Sequence, residues 1–214
     1  MDTKLSATDR AYRYTKDAIL TRRYAGGELI SEGDIATGIG VSRTPVREAL
    51  LRLEGEGLVR LYPKRGALIV PVSQAEIDDV IETRRLVEGF TAQRVAGAGE
   101  EERAALVPTL TKHLDEMRAT AETDKRAFVL ADREFHRAIV EAAGNRVLFD
   151  LYESLRDRQL RMMEEGARTV ERLRGNIREH AAIMDAIRAG DIRAASEAVQ
   201  AHMDAAGAML GARR

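Results

Sequence analysis

The stretch SRTPVREALLRLEGEGLVRLYPKRGALIVPV, residues 42–72, contains two structural patterns in succession. Its first half predicts a helix, because Val46, Leu50 and Leu53 recur at the spacing of one helical face. A proline at position 45 is compatible with the first turn, where backbone amides have no partner within the helix. In the second half, two short apolar arms flank the turn-forming residues 63–66, which predicts a β-hairpin with a basic tip.

Two further helices are predicted before this stretch, one over about residues 7–24 and one that begins at Ser31 and ends at the turn 38–41. Helix, short turn, helix and hairpin, in this order, are typical of a winged helix-turn-helix. In that motif the first residues of the second helix of the pair enter the major groove, where arginine binds guanine or phosphate. The residues predicted to contact DNA are Arg43, Thr44 and Arg47 in the helix and Lys64, Arg65 and Gly66 at the hairpin tip.

Arg43 and Arg47 taken alone would be interpreted as ordinary solvated helix charges. The ordered combination of turn, capped helix and basic hairpin favours DNA contact instead. The distribution of charge is compatible with this interpretation, because residues 1–72 carry 12 Lys/Arg against 9 Asp/Glu and residues 73–214 carry 22 against 26. A surplus this small permits a basic N-terminal surface without requiring one.

Beyond Ser73 the pattern is helical almost to the end of the chain. Short breaks divide it into six predicted helices, over about residues 74–96, 101–120, 124–143, 145–165, 168–189 and 191–210. Connections this short imply that consecutive helices are antiparallel. We therefore expect a mainly α protein, with a winged helix-turn-helix and a small β-hairpin wing over residues 1–72 and an antiparallel bundle of six or seven helices over residues 73–214.

The amino-acid composition excludes several classes of protein and of site. The chain of 214 residues is 44% hydrophobic and 32% charged, which allows a sizeable core and a charged surface. It contains no cysteine, so disulfides, zinc–cysteine sites and thiol catalysis are excluded, and a reducing compartment is compatible with it. It has no apolar run of membrane-spanning length and no apolar signal core at its amino terminus, so we expect a cytoplasmic protein without a membrane partner.

Three of the four histidines are predicted to point into the bundle. Asp132 and His136 are four residues apart, beside the apolar line of Phe135 and Ile139, and therefore share a helix face. His180 and His202 lie on the apolar lines of two later helices. A core histidine is commonly satisfied by a carbonyl or carboxylate, so the spacing alone leaves that alternative open. Three inward histidines with one acid also suit a divalent transition metal such as Zn²⁺, Ni²⁺ or Mn²⁺.

Residues 10–72, and in particular GVSRTPVREALLRLEGEGLV followed by PKRGALIVPVS, resemble the DNA-binding signature of the GntR superfamily of bacterial transcription regulators. The resemblance implies that Ser42, Arg43, Thr44 and Arg47 contact DNA, together with the wing at Arg65 and Gly66. Two features depart from the family pattern. Gly33 stands where many members have a DNA-contacting arginine, and the common Pro-Gly before that helix is Gly26-Gly27 here.

Residues 74–210 resemble the FCD effector domain, which defines the FadR-type branch of GntR regulators. The resemblance is carried by DREFH, by REHAAIMDAIRAGD and by AVQAHM, and it implies a helical bundle in which Asp132, His136, His180 and His202 hold a metal ion. It further implies a small organic acid bound in the same cavity. Arg84 is expected to anchor a carboxylate of this effector, although a structural Arg84–Glu88 pair is an open alternative, and Asn176 is expected to line the cavity.

The function predicted from these patterns is that of a ligand-responsive transcription regulator, most often a repressor in this family. It is expected to bind a pseudo-palindromic operator in double-stranded DNA as a homodimer. One alternative is a regulator that responds to the metal itself, without an organic effector. The other is a metal-dependent enzyme in a helical bundle, which would require a general base beside the metal; Glu134 faces away from the Asp132–His136 side.

Overall fold

The structure, a computed structural model, describes residues 5–165 and 169–211. It divides into two compact units, residues 1–73 and 74–214. The predicted fold class is confirmed, since a helix-turn-helix with a small antiparallel sheet is followed by a helical bundle. None of the helices formed by the described residues combines the length and the apolar character that crossing a membrane requires.

The N-terminal unit alternates short helices and strands. Within the described residues its elements are α1 (Ala7–Leu20), β1 (Leu29–Ile30), α2 (Glu32–Ile39), α3 (Arg43–Gly55), β2 (Val59–Tyr62) and β3 (Gly66–Ile69). The helix predicted over residues 7–24 ends at Leu20, because the chain reverses through Arg22, whose φ of 56° lies in the left-handed region.

The helix-turn-helix is set by its caps and its apolar face. Ser31 begins α2 by accepting a hydrogen bond from the Asp34 amide at 3.0 Å. Gly40 ends α2 in the left-handed conformation, with φ of 66°, which lets the chain turn at once into α3. Val46, Leu50 and Leu53 then bury the inner face of α3, as their spacing predicts. The outer face of α3 consequently carries mainly polar side chains, together with the exposed Leu51.

The wing is part of a three-stranded antiparallel sheet in the order β1-β3-β2. Residues 66–69 pair with residues 59–62 as a hairpin, which is the strand pair that the sequence predicts. The strand β1 was not predicted, because it is only two residues long and lacks a periodic pattern. Its pairing of Leu29 with Leu68 and of Ile30 with Ala67 fixes one side of the wing against the rest of the unit.

The C-terminal unit is a bundle of α-helices. Its elements, among the described residues, are α4 (Gln74–Ala96), α5 (Glu100–Thr120), α6 (Lys125–Ala142), α7 (Arg146–Ser154), α8 (Arg156–Glu165), α9 (Val170–Ala189) and α10 (Ile192–Gly211). Helix α4 packs against α10 and α6, while α5 packs against α6 and α9. Large apolar side chains such as Phe128, Phe135 and Ile183 are completely buried between these helices.

The described residues of this unit form seven helices, within the expected six or seven, because the segment 145–165 that was predicted as one helix forms two. Ser154 Oγ donates to the Leu151 carbonyl, and the Leu155 amide donates to the Tyr152 carbonyl instead of the Leu151 carbonyl. This tighter turn ends α7 before α8 begins. Position 168, where the next helix was predicted to begin, lies outside the described residues, and α9 begins at Val170.

Gly66 is the residue on which the wing geometry depends most directly. Its φ is 111°, and a Cβ at this position would lie 2.2 Å from the Ile30 carbonyl oxygen. Gly66→Ala should therefore destabilise the protein by about 1–3 kcal/mol, since an alanine must adopt a disfavoured φ and push β1 away. Gly55→Ala is the matched control, because no atom lies within 4 Å of its Cβ. Calorimetry of both variants measures this, and equal melting temperatures would contradict the assigned role of Gly66.

Candidate metal centre and nucleic-acid interface

Four side chains predicted from the sequence to form a metal site meet at the centre of the bundle. Helix α6 contributes Asp132 and His136, α9 contributes His180 and α10 contributes His202. One ligand atom from each of the four lies within 4.8 Å of the others, and all four residues are at most 2% exposed. The rings are in contact as well, since the centroids of His136 and His180 are 4.6 Å apart.

Each imidazole is oriented by an oxygen atom on its outer side. The Nδ1 atoms lie 2.8 Å from an acceptor in every case: Glu88 Oε2 for His136, the Asn176 carbonyl for His180 and Glu179 Oε2 for His202. Such contacts keep the proton on Nδ1 and leave Nε2 with its lone pair. Buried Nε2 atoms of His136 and His180 make no hydrogen bond to the described residues. The arrangement thus offers lone pairs at the centre of the cluster, as metal ligation requires.

The orienting carboxylates are themselves held by arginines. Arg84 Nε lies 2.6 Å from Glu88 Oε1, and both side chains are almost fully buried. Arg172 binds Glu179 with two nitrogen atoms, one of them at 2.9 Å. Two chains of contacts, arginine to carboxylate to histidine, therefore converge on the cluster from α4 and from α9.

The surroundings of His180, His202 and Glu179 shift the pKa of each group. Burial lowers the pKa of His180 well below its ordinary value, and the neighbouring His202 and His136 lower it further. Burial also lowers the pKa of His202. Burial opposes the charge of Glu179, but His202 and Arg172 outweigh it and lower its pKa to about 2. At neutral pH His180 and His202 are therefore unprotonated, which is the form that binds metal.

A pocket opens beside the cluster. It is small, and its polar lining consists of Arg84, Asp132, Arg172, Asn176 and His202. Asn176 Nδ2 donates to Asp132 Oδ1 at 3.1 Å, so this amide orients the acid as well as lining the pocket. Arg84 lines the pocket and also forms the Glu88 pair that was the alternative to its expected role. The pair uses Arg84 Nε.

Sequence analysis missed the two orienting carboxylates. Glu179 directly precedes His180 and therefore lies about 100° from it around the helix axis. It contacts His202 on another helix, a contact that no spacing within one helix reveals. Glu88 was considered only as a partner of Arg84. The fourth histidine, His113, lies apart from the cluster, with Nδ1 2.9 Å from Glu116.

The predicted DNA-contacting residues lie together on one side of the N-terminal unit. Ser42, Arg43, Thr44 and Arg47 are exposed at the start of α3, and Lys64 and Arg65 are exposed at the wing tip. A groove of the surface is lined by Arg43 and Arg47 on one side and by residues 62–66 on the other. Gly66 is half-buried, and the Ile30 carbonyl beside it gives a structural reason for glycine there.

Gly33 changes the surroundings of the first of these arginines. A Cβ at position 33 would lie 3.4 Å from Arg43 Nη2. The guanidinium of Arg43 therefore lies at about van der Waals distance from the position of this Cβ.

Comparison with known proteins assigns both units. A family model described as "FCD domain" matches residues 79–205, and one described as "Bacterial regulatory proteins, gntR family" matches residues 7–69. An HTH-type transcriptional regulator from Agrobacterium vitis is 37% identical over 135 residues, which cover 63% of this chain and 79% of the relative. The HTH-type transcriptional repressor RspR of Escherichia coli is 27% identical over 211 residues, covering 95% and 90%. These relatives are transcriptional regulators and not enzymes.

Solved structures agree with this assignment. A GntR transcriptional regulator from Rhodococcus matches with a TM-score of 0.79 at 25% identity, covering 98% of this chain and 100% of the other. The Zn²⁺-bound FCD domain of TM0439 matches with a TM-score of 0.50 at 25% identity, covering 65% of this chain and 94% of that domain. The metal-free form of the same domain matches with a TM-score of 0.51.

Glu179 provides a test of the orienting contacts. Glu179→Gln should lower the affinity for Zn²⁺ by about 10- to 100-fold, because the neutral amide holds the His202 ring less firmly and makes it a weaker base. Competition with a chromogenic chelator measures the affinity. Glu197→Gln, an exposed position on α10, serves as the control and should leave it unchanged. If the two variants bind Zn²⁺ equally, the contact with His202 has no role in ligation.

Proposed function

The chain belongs to the gntR family of bacterial regulatory proteins and carries an FCD domain, and from this premise we propose that it is a dimeric repressor controlled by a small carboxylate. The observation that carries the second part of the proposal is the buried cluster of one acid and three histidines beside a pocket lined with arginine. DNA binding follows from the family. The repressor role is supported by the E. coli relative, whose name describes it as one.

A divalent ion fits the residues of the cluster. Asp132, His136, His180 and His202 supply one oxygen and three nitrogen donors, a set that suits Zn²⁺, Ni²⁺ or Mn²⁺. The buried Nε2 atoms of His136 and His180 make no hydrogen bond to the described residues, and that of His180 lies 3.4 Å from Asp132 Oδ1. This supports the assignment, since a buried polar atom without a hydrogen bond is costly. The ion would supply positive charge and open coordination positions for an effector carboxylate. Its supporting residues orient the ligands and exclude water.

The balance of charge indicates the class of effector. Around the pocket, Arg84, Arg172 and a divalent ion bring four positive charges, while Asp132, Glu88 and Glu179 bring three negative charges. One surplus positive charge in a buried site favours a ligand with one negative charge. We therefore propose a small monocarboxylate, anchored by the ion and by the outer nitrogens of Arg84, with Asn176 as a further contact.

The N-terminal unit is proposed to read DNA through α3 and the wing. Ser42, Arg43, Thr44 and Arg47 would enter the major groove, while Lys64, Arg65 and Gly66 would approach the backbone. A two-fold symmetric dimer presents two such surfaces to the half-sites of a pseudo-palindrome. The effector changes DNA affinity only to the extent that it binds the two states of the protein with different affinity.

Elemental analysis tests the metal site. Wild-type protein purified without chelators or an affinity tag, and incubated with Zn²⁺, Ni²⁺ or Mn²⁺, should retain about one equivalent of a divalent ion, and His180→Ala should lose it. His113→Ala is the matched control and should retain the metal, because His113 lies outside the cluster. Absence of metal from the wild type would refute the metal site, and the cluster would then have to hold its acid by hydrogen bonds alone.

Small acids test the charge argument. In thermal-shift measurements on zinc-loaded protein, glycolate should raise the melting temperature more than malonate does, since malonate exceeds the surplus charge of the pocket. Stabilisation at 100 times the dissociation constant would amount to about 2.7 kcal/mol. Metal-free protein should not respond. An equal response with and without zinc would contradict anchoring by the metal, and a change of DNA affinity with zinc alone would favour a metal-responsive regulator.

Salt dependence tests the DNA surface. With an operator selected from a random duplex library, Lys64→Ala should reduce the slope of log affinity against log salt by about 2, because a dimer loses two phosphate contacts. Arg47→Ala should weaken binding by about 1–3 kcal/mol for each half-site if it reads a base. Lys112→Ala, an exposed lysine of the C-terminal unit, is the control. Wild-type affinity and slope in both test variants would contradict the assigned surface.

A further inference from the structure

Helix α9 contains a glycine in its second turn, at position 175. Glycine within a helix is less favourable than alanine, because it loses more conformational freedom on folding. The φ of Gly175 is not positive, so the backbone conformation does not require glycine. A Cβ at this position would lie 3.1 Å from Arg172 Nη1. The guanidinium of Arg172 therefore lies directly over Gly175, closer than a Cβ normally allows.

Arg172 extends along the helix surface, over Gly175, to the carboxylate of Glu179. Its two terminal nitrogens bind the two carboxylate oxygens, with Nη2 2.9 Å from Oε2. Ion pairs on a helix usually join residues three or four apart, whereas these two are seven apart, which is about 10 Å along the axis. The arginine must therefore lie flat against the helix, and a residue without a side chain leaves that surface free.

The same carboxylate orients one of the predicted metal ligands. Glu179 Oε2 lies 2.8 Å from His202 Nδ1. The Glu179 side chain is 22% exposed, whereas that of Glu88, which orients His136, is 2% exposed and enclosed by the bundle. Glu179 therefore depends more on a partner to keep its orientation. A guanidinium that binds both oxygens provides this, because its planar fork fixes the plane of the carboxylate.

We propose that Arg172 is a positioning residue of the metal centre: lying over Gly175, it holds Glu179 against His202 and so raises the affinity of the cluster for its ion. This deepens the proposed function and rests on it, since it requires the metal site. Arg172 also lines the pocket, but both of its terminal nitrogens already bind Glu179. Its assigned role is therefore to orient a ligand of the ion, and anchoring of the effector is left to the ion and Arg84.

Competition with a chromogenic chelator tests the role of Arg172. Arg172→Gln should lower the affinity for Zn²⁺ by about 5- to 20-fold, because Glu179 then orients His202 less firmly. Arg174→Gln is the matched control on the same helix, since Arg174 is exposed and binds Glu122, and it should leave the affinity unchanged. Metal-free Arg172→Gln should melt at nearly the wild-type temperature, because a partly exposed ion pair contributes little to stability. The visible spectrum of Co²⁺-loaded protein should change in Arg172→Gln and not in Arg174→Gln.

A double-mutant cycle tests the part played by Gly175. Gly175→Ala should lower the affinity for Zn²⁺ by about 3- to 10-fold, because the new methyl group displaces the guanidinium of Arg172. In the Arg172→Gln background the same substitution should leave the affinity unchanged, since no guanidinium remains to be displaced. There it should also raise the melting temperature of the metal-free protein, because alanine is the better helix former. Equal losses of affinity in both backgrounds would contradict the proposed action through Arg172.

The remaining outcomes separate this inference from the metal site itself. Wild-type protein that retains zinc, together with Arg172→Gln of equal affinity, would overturn the positioning role and leave the metal site intact. Wild-type protein that retains no divalent ion would refute the metal site, and the positioning role with it. At saturating zinc, glycolate should still raise the melting temperature of Arg172→Gln. Loss of that response would overturn the assignment, because Arg172 would then bind the effector.

Discussion

The ligand atoms of one buried carboxylate and three buried imidazoles lie within 4.8 Å of one another in the interior of the bundle. The organisation of the C-terminal unit depends on offsetting the free-energy cost of burying these polar groups. An uncompensated buried charge costs several kcal/mol. Here burial keeps His180 and His202 neutral, each Nδ1 of the cluster lies beside an oxygen atom, and two of these oxygens belong to carboxylates paired with arginine. The helices α4, α6, α9 and α10 must therefore keep their relative positions, since a displacement of any one removes a partner from a buried polar group.

The sequence predicted those parts of the site that repeat with the helical period. Asp132 and His136 are four residues apart, and His180 and His202 lie on apolar lines, so their burial follows from local spacing. Contacts between helices do not follow from spacing. Glu179 contacts His202 across two helices, and Glu88 contacts His136 in the same way, so neither contact was predicted. The break at Leu155 was also missed, because a hydroxyl that bonds the backbone leaves no mark on the apolar pattern.

The helices and the hairpin of the N-terminal unit were predictable for similar reasons, whereas the role of one glycine was not. The inner face of α3 shows a helical apolar pattern, and the two arms of the hairpin are short apolar runs. Gly66 was interpreted as a point of approach to DNA, whereas its φ of 111° and the nearby Ile30 carbonyl require glycine whether or not DNA is bound. This carbonyl belongs to β1, so the position of β1 is the reason that glycine is required. With only two residues, β1 is too short to show a pattern in the sequence.

Helix α4 has Glu88 on its buried side and Leu86 and Phe90 on its exposed side, within a single turn. A ligand that binds Arg84 acts on the residue that fixes Glu88, and hence on this turn of the helix. If such a ligand changes the affinity between the subunits of the proposed dimer, ligand affinity and subunit affinity are linked quantities. Linkage is reciprocal, and a dimer has one site on each subunit, so a ligand that weakens the dimer about tenfold would bind each site of the dimer about threefold less tightly than the monomer. The sensitivity of such a regulator to its ligand would then depend on the concentration of the protein itself.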